Sequence, residues 1–166
     1  MEKIERPRRL AILAAVFVVS IGTLSHAFAG ALLTLRDTTT TPPTEIALTA
    51  ADIDAIPVQT IRTHTDFTDG VTEFTGPRIM DLLALIGTGS ATEAHVIAAN
   101  DYSVEIPLPE FTKYGVILAR EANGKRLSPR GKGPFWVMYP LDDFSELQDP
   151  VYNNRLIWQV TKIELR

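Results

Sequence analysis

The chain has 166 residues, enough for one domain with its own core, and its 45% hydrophobic and 22% charged content is ordinary for a globular protein. A formal net charge of −4 argues against a nucleic-acid partner, whose affinity rests on neutralising phosphates. There is no cysteine, which excludes disulfides, thiolate metal ligands and a cysteine nucleophile.

Residues 1–9 carry Lys3, Arg6, Arg8 and Arg9 against Glu2 and Glu5, and residues 10–24 are nearly all apolar. Ala27-Phe28-Ala29 then offers a small-x-small cut site before Gly30. This is the pattern of a cleavable signal peptide over 1–29, and it implies export to the periplasm. Apolar character runs on to Leu35, so an uncleaved N-terminal membrane anchor is the alternative. Against it, Ser20, Gly22, Thr23, Ser25 and His26 interrupt the run, and a spanning helix wants about 20 apolar residues. Residues 30–44, with the threonines at 38–41 and Pro42-Pro43, read as a disordered tether, which puts the folded domain at 45–166.

Residues 45–48 alternate as a short strand, and Thr49 suits the N-cap of a brief helix over 50–56 that Pro57 stops. The β-branched stretch 58–64 reads as a strand, 66–70 as a turn and 71–75 as a second strand. Gly76-Pro77 is expected to open a helix, with Ile79, Leu82, Leu83 and Ile86 at helical spacing and Gly87 ending it. Strands follow over 93–99 and 102–108, joined by an Asn100-Asp101 turn. A helical turn at 109–113 leads to a strand over 116–121, which closes at Asn123-Gly124, a hairpin-type turn. The run Phe135-Trp136-Val137-Met138-Tyr139 is apolar enough for a buried strand. Residues 142–154 form an acidic loop, and 155–165 a long closing strand. Many short strands with few short helices indicate an α+β domain dominated by mixed β-sheet.

Three places invite chemistry. Gly131-Lys132-Gly133 is a basic turn whose amides can approach a bound group closely, as well as an ordinary loop into a core strand. Asn100-Asp101-Tyr102 places a carboxylate able to accept two parallel hydrogen bonds beside an aromatic face, and equally suits an Asx-turn. Tyr152, Arg155 and Trp158 offer a cation and rings for a flat ligand, or a core indole. Lys125, Arg126, Arg130 and Lys132 form a basic cluster that suits a phosphate, an acidic partner or simply water. His64 and His95 lack the spacing of metal-ligand pairs, and no nucleophile elbow or phosphate-binding loop occurs.

Six pieces of sequence, in order, resemble the oxidoreductase molybdopterin-binding domain of the sulfite oxidase family. They begin with Phe74-Thr75-Gly76-Pro77 with Leu82-Leu83, then the stretch from Asn100-Asp101-Tyr102 to Pro107-Leu108. Leu118-Ala119-Arg120, Asn123-Gly124-Lys125-Arg126-Leu127, Gly131-Lys132-Gly133-Pro134 through Tyr139-Pro140, and residues 158–163 complete the set. The resemblance implies the sulfite oxidase-type fold. It also implies a molybdenum-ligating cysteine near residues 61–67, where this chain has none, and a basic loop where it has Leu141-Asp142-Asp143-Phe144. The chain looks like the small exported members that bind a metal-free pterin and regulate a membrane-bound sensor kinase or cyclic di-GMP enzyme. On that likeness Asp101 takes the ring's N–H donors and an amide near Gly131 or Gly133 meets its carbonyl. Thr65, Phe67, Tyr102 and Trp136 line the pocket, and Lys132 and Arg155 close over it. No catalytic or metal-binding residue is assigned. A molybdopterin-dependent oxidoreductase, or its accessory subunit, is the alternative.

Overall fold

Two leucines place folded structure upstream of residue 45. In a computed structural model describing residues 30–166, Leu33 and Leu35 are buried on one side of strand β1 (Ala31–Asp37). This corrects the tether expected over 30–44. The apolar Ala31-Leu32-Leu33-Thr34-Leu35 run, assigned to the tether, alternates with the period of a strand, with Thr34 between the two leucines and Arg36 after them less buried. The threonine segment after it is also held, since Thr38 donates its Oγ1 hydroxyl to the Leu165 carbonyl at 2.7 Å. Residues 1–29, and with them the expected signal peptide or anchor, lie outside the described residues.

β1 lies between β2 (Thr44–Thr49), antiparallel, and the last strand β11 (Val160–Leu165), parallel. β5 (Glu93–Ala98) and β6 (Ser103–Pro107) complete a five-stranded sheet ordered β2-β1-β11-β5-β6. A second sheet runs β3 (Val58–Thr63), β4 (Thr72–Pro77), β8 (Glu121–Ala122) and β9 (Lys125–Arg126), and β7 (Ile117–Ala119) pairs with β10 (Trp136–Met138). The all-buried β7 and β10 and the inward faces of the larger sheets share one core with Phe74, Ile79, Phe111 and Tyr139. The sheet-rich α+β class expected from the sequence is what forms.

Helix α1 (Ala50–Asp54) starts as expected at Thr49, in a capping box with Asp52. Gly76-Pro77 does not open a helix. Both residues end β4, because Gly76 passes so close to the Leu118 carbonyl that a Cβ there would lie 2.0 Å from its oxygen. Helix α2 (Ile79–Leu83) follows Arg78 and buries Ile79, Leu82 and Leu83. Helix α3 (Leu108–Tyr114) ends at Gly115 in the left-handed conformation, a common helix stop. The expected strand over 116–121 is split, β7 and β8 lying in different sheets on either side of Arg120. The acidic loop contains a short 3₁₀ turn (Ser145–Gln148) and helix α4 (Pro150–Arg155), which Asp149 caps through the Val151 amide. The closing strand is therefore shorter than 155–165: Arg155 ends a helix, and β11 begins at Val160.

Candidate functional site

The connections at one end of these sheets enclose a cavity of about 300 Å³, at the lower end of small-molecule sites. Its aromatic wall is Phe67, Tyr102 and Trp158, which come from the loop after β3, the β5–β6 turn and the segment before β11. Asn100, Asn153 and Asn154 are its amide-bearing residues, Asn100 already accepting the Tyr102 N–H and Asn153 already donating to Asp66, and Ala98, Leu156 and Ile157 fill the remainder. Phe67 meets Trp158 edge-on at 5.1 Å between ring centroids, and Trp158 meets Trp136 edge-on at 6.1 Å. Trp136 lies behind the wall, fully buried, and its indole N–H donates to the Leu156 carbonyl at 2.9 Å. The Lys132 ammonium stands 5.2 Å from the Trp136 ring and 5.7 Å from that of Trp158, within cation–π range of both.

The lining is neutral. Tyr102 is its only titratable side chain among the described residues, so the cavity offers flat apolar faces and amide hydrogen bonds rather than acid–base groups. A side-chain amide carries both donors and an acceptor, matching a heterocycle whose edge presents both. Tyr102 (50%) and Trp158 (36%) are exposed aromatic side chains of the lining.

A second, more polar cavity of about 530 Å³ lies beside the first, and Asn153 lines both. His64, Thr65, Asp66 and Asp142 surround it, and the Asn153 amide donates to Asp66. Asp142 accepts from the His64 main-chain N–H at 2.8 Å and lies 2.9 Å from its Nδ1. Partial burial pushes the Asp142 carboxyl up, but the His64 main chain and ring outweigh it and hold the group below the usual aspartate range.

Helix α4 brings Asn153 and Asn154 to the cavity, and α4 is fixed by a mostly buried ion pair. Arg155 bonds the Glu110 carboxylate, with the two side chains 16% and 17% exposed. Glu110 also accepts from the Tyr139 hydroxyl at 3.2 Å. Burial, and then the Glu110 charge, push the Tyr139 phenol far up, so it remains protonated and donating.

The expected site residues therefore divide. Phe67 and Tyr102 line the cavity, Trp136 backs it and Lys132 stands over the indoles. The expected closure of Arg155 over the ligand is corrected, because its guanidinium is committed to Glu110 and lies 4.9 Å from the Tyr152 ring. Asp101 is an exposed turn residue at φ 64°, outside the lining, and Asn100 Oδ1 accepts the Tyr102 N–H in an Asx-turn. The Gly131 and Gly133 amides both donate to the Ser128 carbonyl at 2.9 Å, so neither is free for a ligand carbonyl. Thr65 faces the second cavity and bonds Thr68 and the Phe67 N–H. None of Asp101, Lys132 and Arg155 lines the cavity. The sequence reading missed Asn153, Asn154 and Ile157; the Asn153-Asn154 pair just before an apolar segment was the available signal.

The model of the oxidoreductase molybdopterin binding domain matches residues 44–141, more than half of the chain. Among solved structures, the fold is similar to the sulfane dehydrogenase SoxCD from Paracoccus pantotrophus, with a TM-score of 0.59 and 17% identity. That similarity covers 80% of this chain but only 37% of the other, so this chain spans little more than a third of that protein. No curated protein sequence matches. The donor set does not fit a thiolate-held molybdenum centre. The chain has no cysteine, and in the segment 61–67 the buried Thr63 hydroxyl already donates to the His64 carbonyl and accepts the Asp142 N–H. Thr65 and His64 are likewise engaged, with Thr68 and Asp142.

Proposed function

Because the chain belongs to the family of oxidoreductase molybdopterin-binding domains, we propose that it is a binding module which holds the organic ring of a pterin without ligating molybdenum. The observation that carries this reading is the neutral aromatic–amide cavity beside a thiolate-free segment. A pterin is flat, and its pyrimidine edge carries N–H and NH₂ donors next to a carbonyl. Phe67, Tyr102 or Trp158 supplies the face for such a ring, and Asn100, Asn153 and Asn154 supply the polar partners. These residues take the edge-recognition role expected of Asp101 and the glycine amides. Stacking on one aromatic side chain is worth about 1–3 kcal/mol, by analogy with nucleobases.

The basic residues and apolar run at 1–29 support an exported module. In this reading the ligand state passes to a membrane signalling protein, such as a sensor kinase or cyclic di-GMP enzyme. That partner must discriminate the filled from the empty domain, or no signal passes. The ligand arm is tested by titrating purified protein with 6-hydroxymethyl-7,8-dihydropterin, followed by calorimetry. Micromolar saturation at one site is expected, and failure to bind below millimolar ligand removes the proposal. The family match itself favours a second reading, a molybdopterin-dependent oxidoreductase or its accessory subunit. Metal content separates the two.

A further inference from the structure

The backbone at Gln159 is out of character for its residue type. Three non-glycine residues among those described have positive φ: Asp101 at 64°, Asn123 at 49° and Gln159 at 55°. The first two are turn residues of the types that tolerate the left-handed region, whereas glutamine is not among them. Such strain persists where the surroundings over-determine it.

The surroundings of Gln159 do so with four hydrogen bonds. Its side-chain amide donates to the Pro129 carbonyl at 3.1 Å and the Gly131 carbonyl at 2.8 Å. Its main-chain N–H donates to the Lys132 carbonyl at 3.3 Å, and its own carbonyl accepts the Ala99 N–H at 2.9 Å. Ala99 lies between Ala98 and Asn100, both lining the cavity, and Trp158 precedes Gln159 in the chain. One residue thus joins the turn carrying Asn100 and Tyr102 to the loop carrying Lys132. That loop has little other freedom. Ser128 already takes the Gly131 and Gly133 amides, and a Cβ at Gly133 would lie 2.3 Å from the Leu127 carbonyl oxygen.

We infer that Gln159 is the positioning residue of the cavity, its amide and left-handed backbone locking the 128–133 loop, with Lys132 over the indoles, against the 99–102 turn. The inference rests on the pterin reading only for the ligand that profits from the lock; the lock itself is testable without ligand.

Gln159→Glu keeps shape and backbone but replaces both donors with acceptors facing two carbonyls. Gln159→Gly removes the side chain and relieves the φ strain. Three measurements are made on each full-length variant: amide exchange at Gly131 and Gly133, tryptophan emission compared with Lys132→Met, and affinity for 6-hydroxymethyl-7,8-dihydropterin. Both variants are expected to exchange these amides about tenfold faster, as for loss of one or two hydrogen bonds. Both should shift emission toward that of Lys132→Met and weaken the pterin about tenfold, while Tm stays within about 4 °C of wild type. The inference is overturned if loop exchange and emission match wild type in both variants. It is also overturned if exchange quickens equally through β10 and β11 with a large fall in Tm, the mark of a merely structural residue. If the unaltered protein does not bind the pterin, the cavity reading fails, while emission and exchange still decide the role of Gln159.

Discussion

Trp158→Ala isolates the aromatic wall from the rest of the fold. Trp158 is 36% exposed, and its indole touches the edge of Phe67 and the buried Trp136 rather than filling the centre of the core. Truncation should therefore cost about 1–2 kcal/mol of stability, well below the loss from a fully buried indole. A stacked ring loses more. Removing its platform should cost about 1–3 kcal/mol of binding, or roughly 5- to 150-fold in Kd. The loss should fall toward the upper end, because Lys132 stands over Trp158 as well as Trp136 and loses one of its two indoles. Calorimetric titration with 6-hydroxymethyl-7,8-dihydropterin measures it, with Trp158→Phe restoring most of the affinity by returning a flat face. An alanine variant that is folded yet binds as tightly as wild type would refute the stacking argument.

Other consequences are equally specific. Gly76→Ala forces a Cβ to within 2.0 Å of the Leu118 carbonyl oxygen and should destabilise the domain by about 3 kcal/mol in a urea titration. Arg155→Met strands the mostly buried Glu110 charge and should cost about 3 kcal/mol, whereas pairing it with Glu110→Gln should recover much of that loss in a double-mutant cycle. The Asp142 carboxyl is held below its ordinary value of about 3.9, so its contribution is complete above that pH and disappears as pH falls through the depressed value. The His64 amide resonance, which reports the bond to Asp142, should accordingly titrate below about pH 3.9 and stop titrating in Asp142→Asn.

What could be read from the chain depended on whether local pattern or distant contact decided each element. The capped helix after Thr49, the strand from Glu93 and the Asn123-Gly124 hairpin follow from local chemistry and form where expected, the helix ending two residues and the strand one residue short of the expected bounds. Gly76-Pro77 looked like a helix start because proline suits one, but its glycine is required by the Leu118 backbone, a contact 42 positions away that no local window contains. β1 was hidden for a related reason. An apolar run directly behind a leader-like segment carries the leader's own signature, and its pairing with β2 and the distant β11 marks it as a strand. At the site, the aromatic residues Phe67, Tyr102 and Trp136 were legible because large rings are rarely idle. The polar partners were not. Arg155 appeared available until Glu110, 45 residues earlier, claimed it, and Asn153 appeared to be loop until Asp149 capped a helix that turned it inward.

A pterin pocket without a thiolate for molybdenum should hold the ring and exclude the metal. Molybdenum and pterin are best quantified together, in one sample of the full chain purified from a host that makes the complete cofactor. The account predicts pterin approaching one equivalent with molybdenum at trace level. One equivalent of molybdenum that survives dialysis would contradict it.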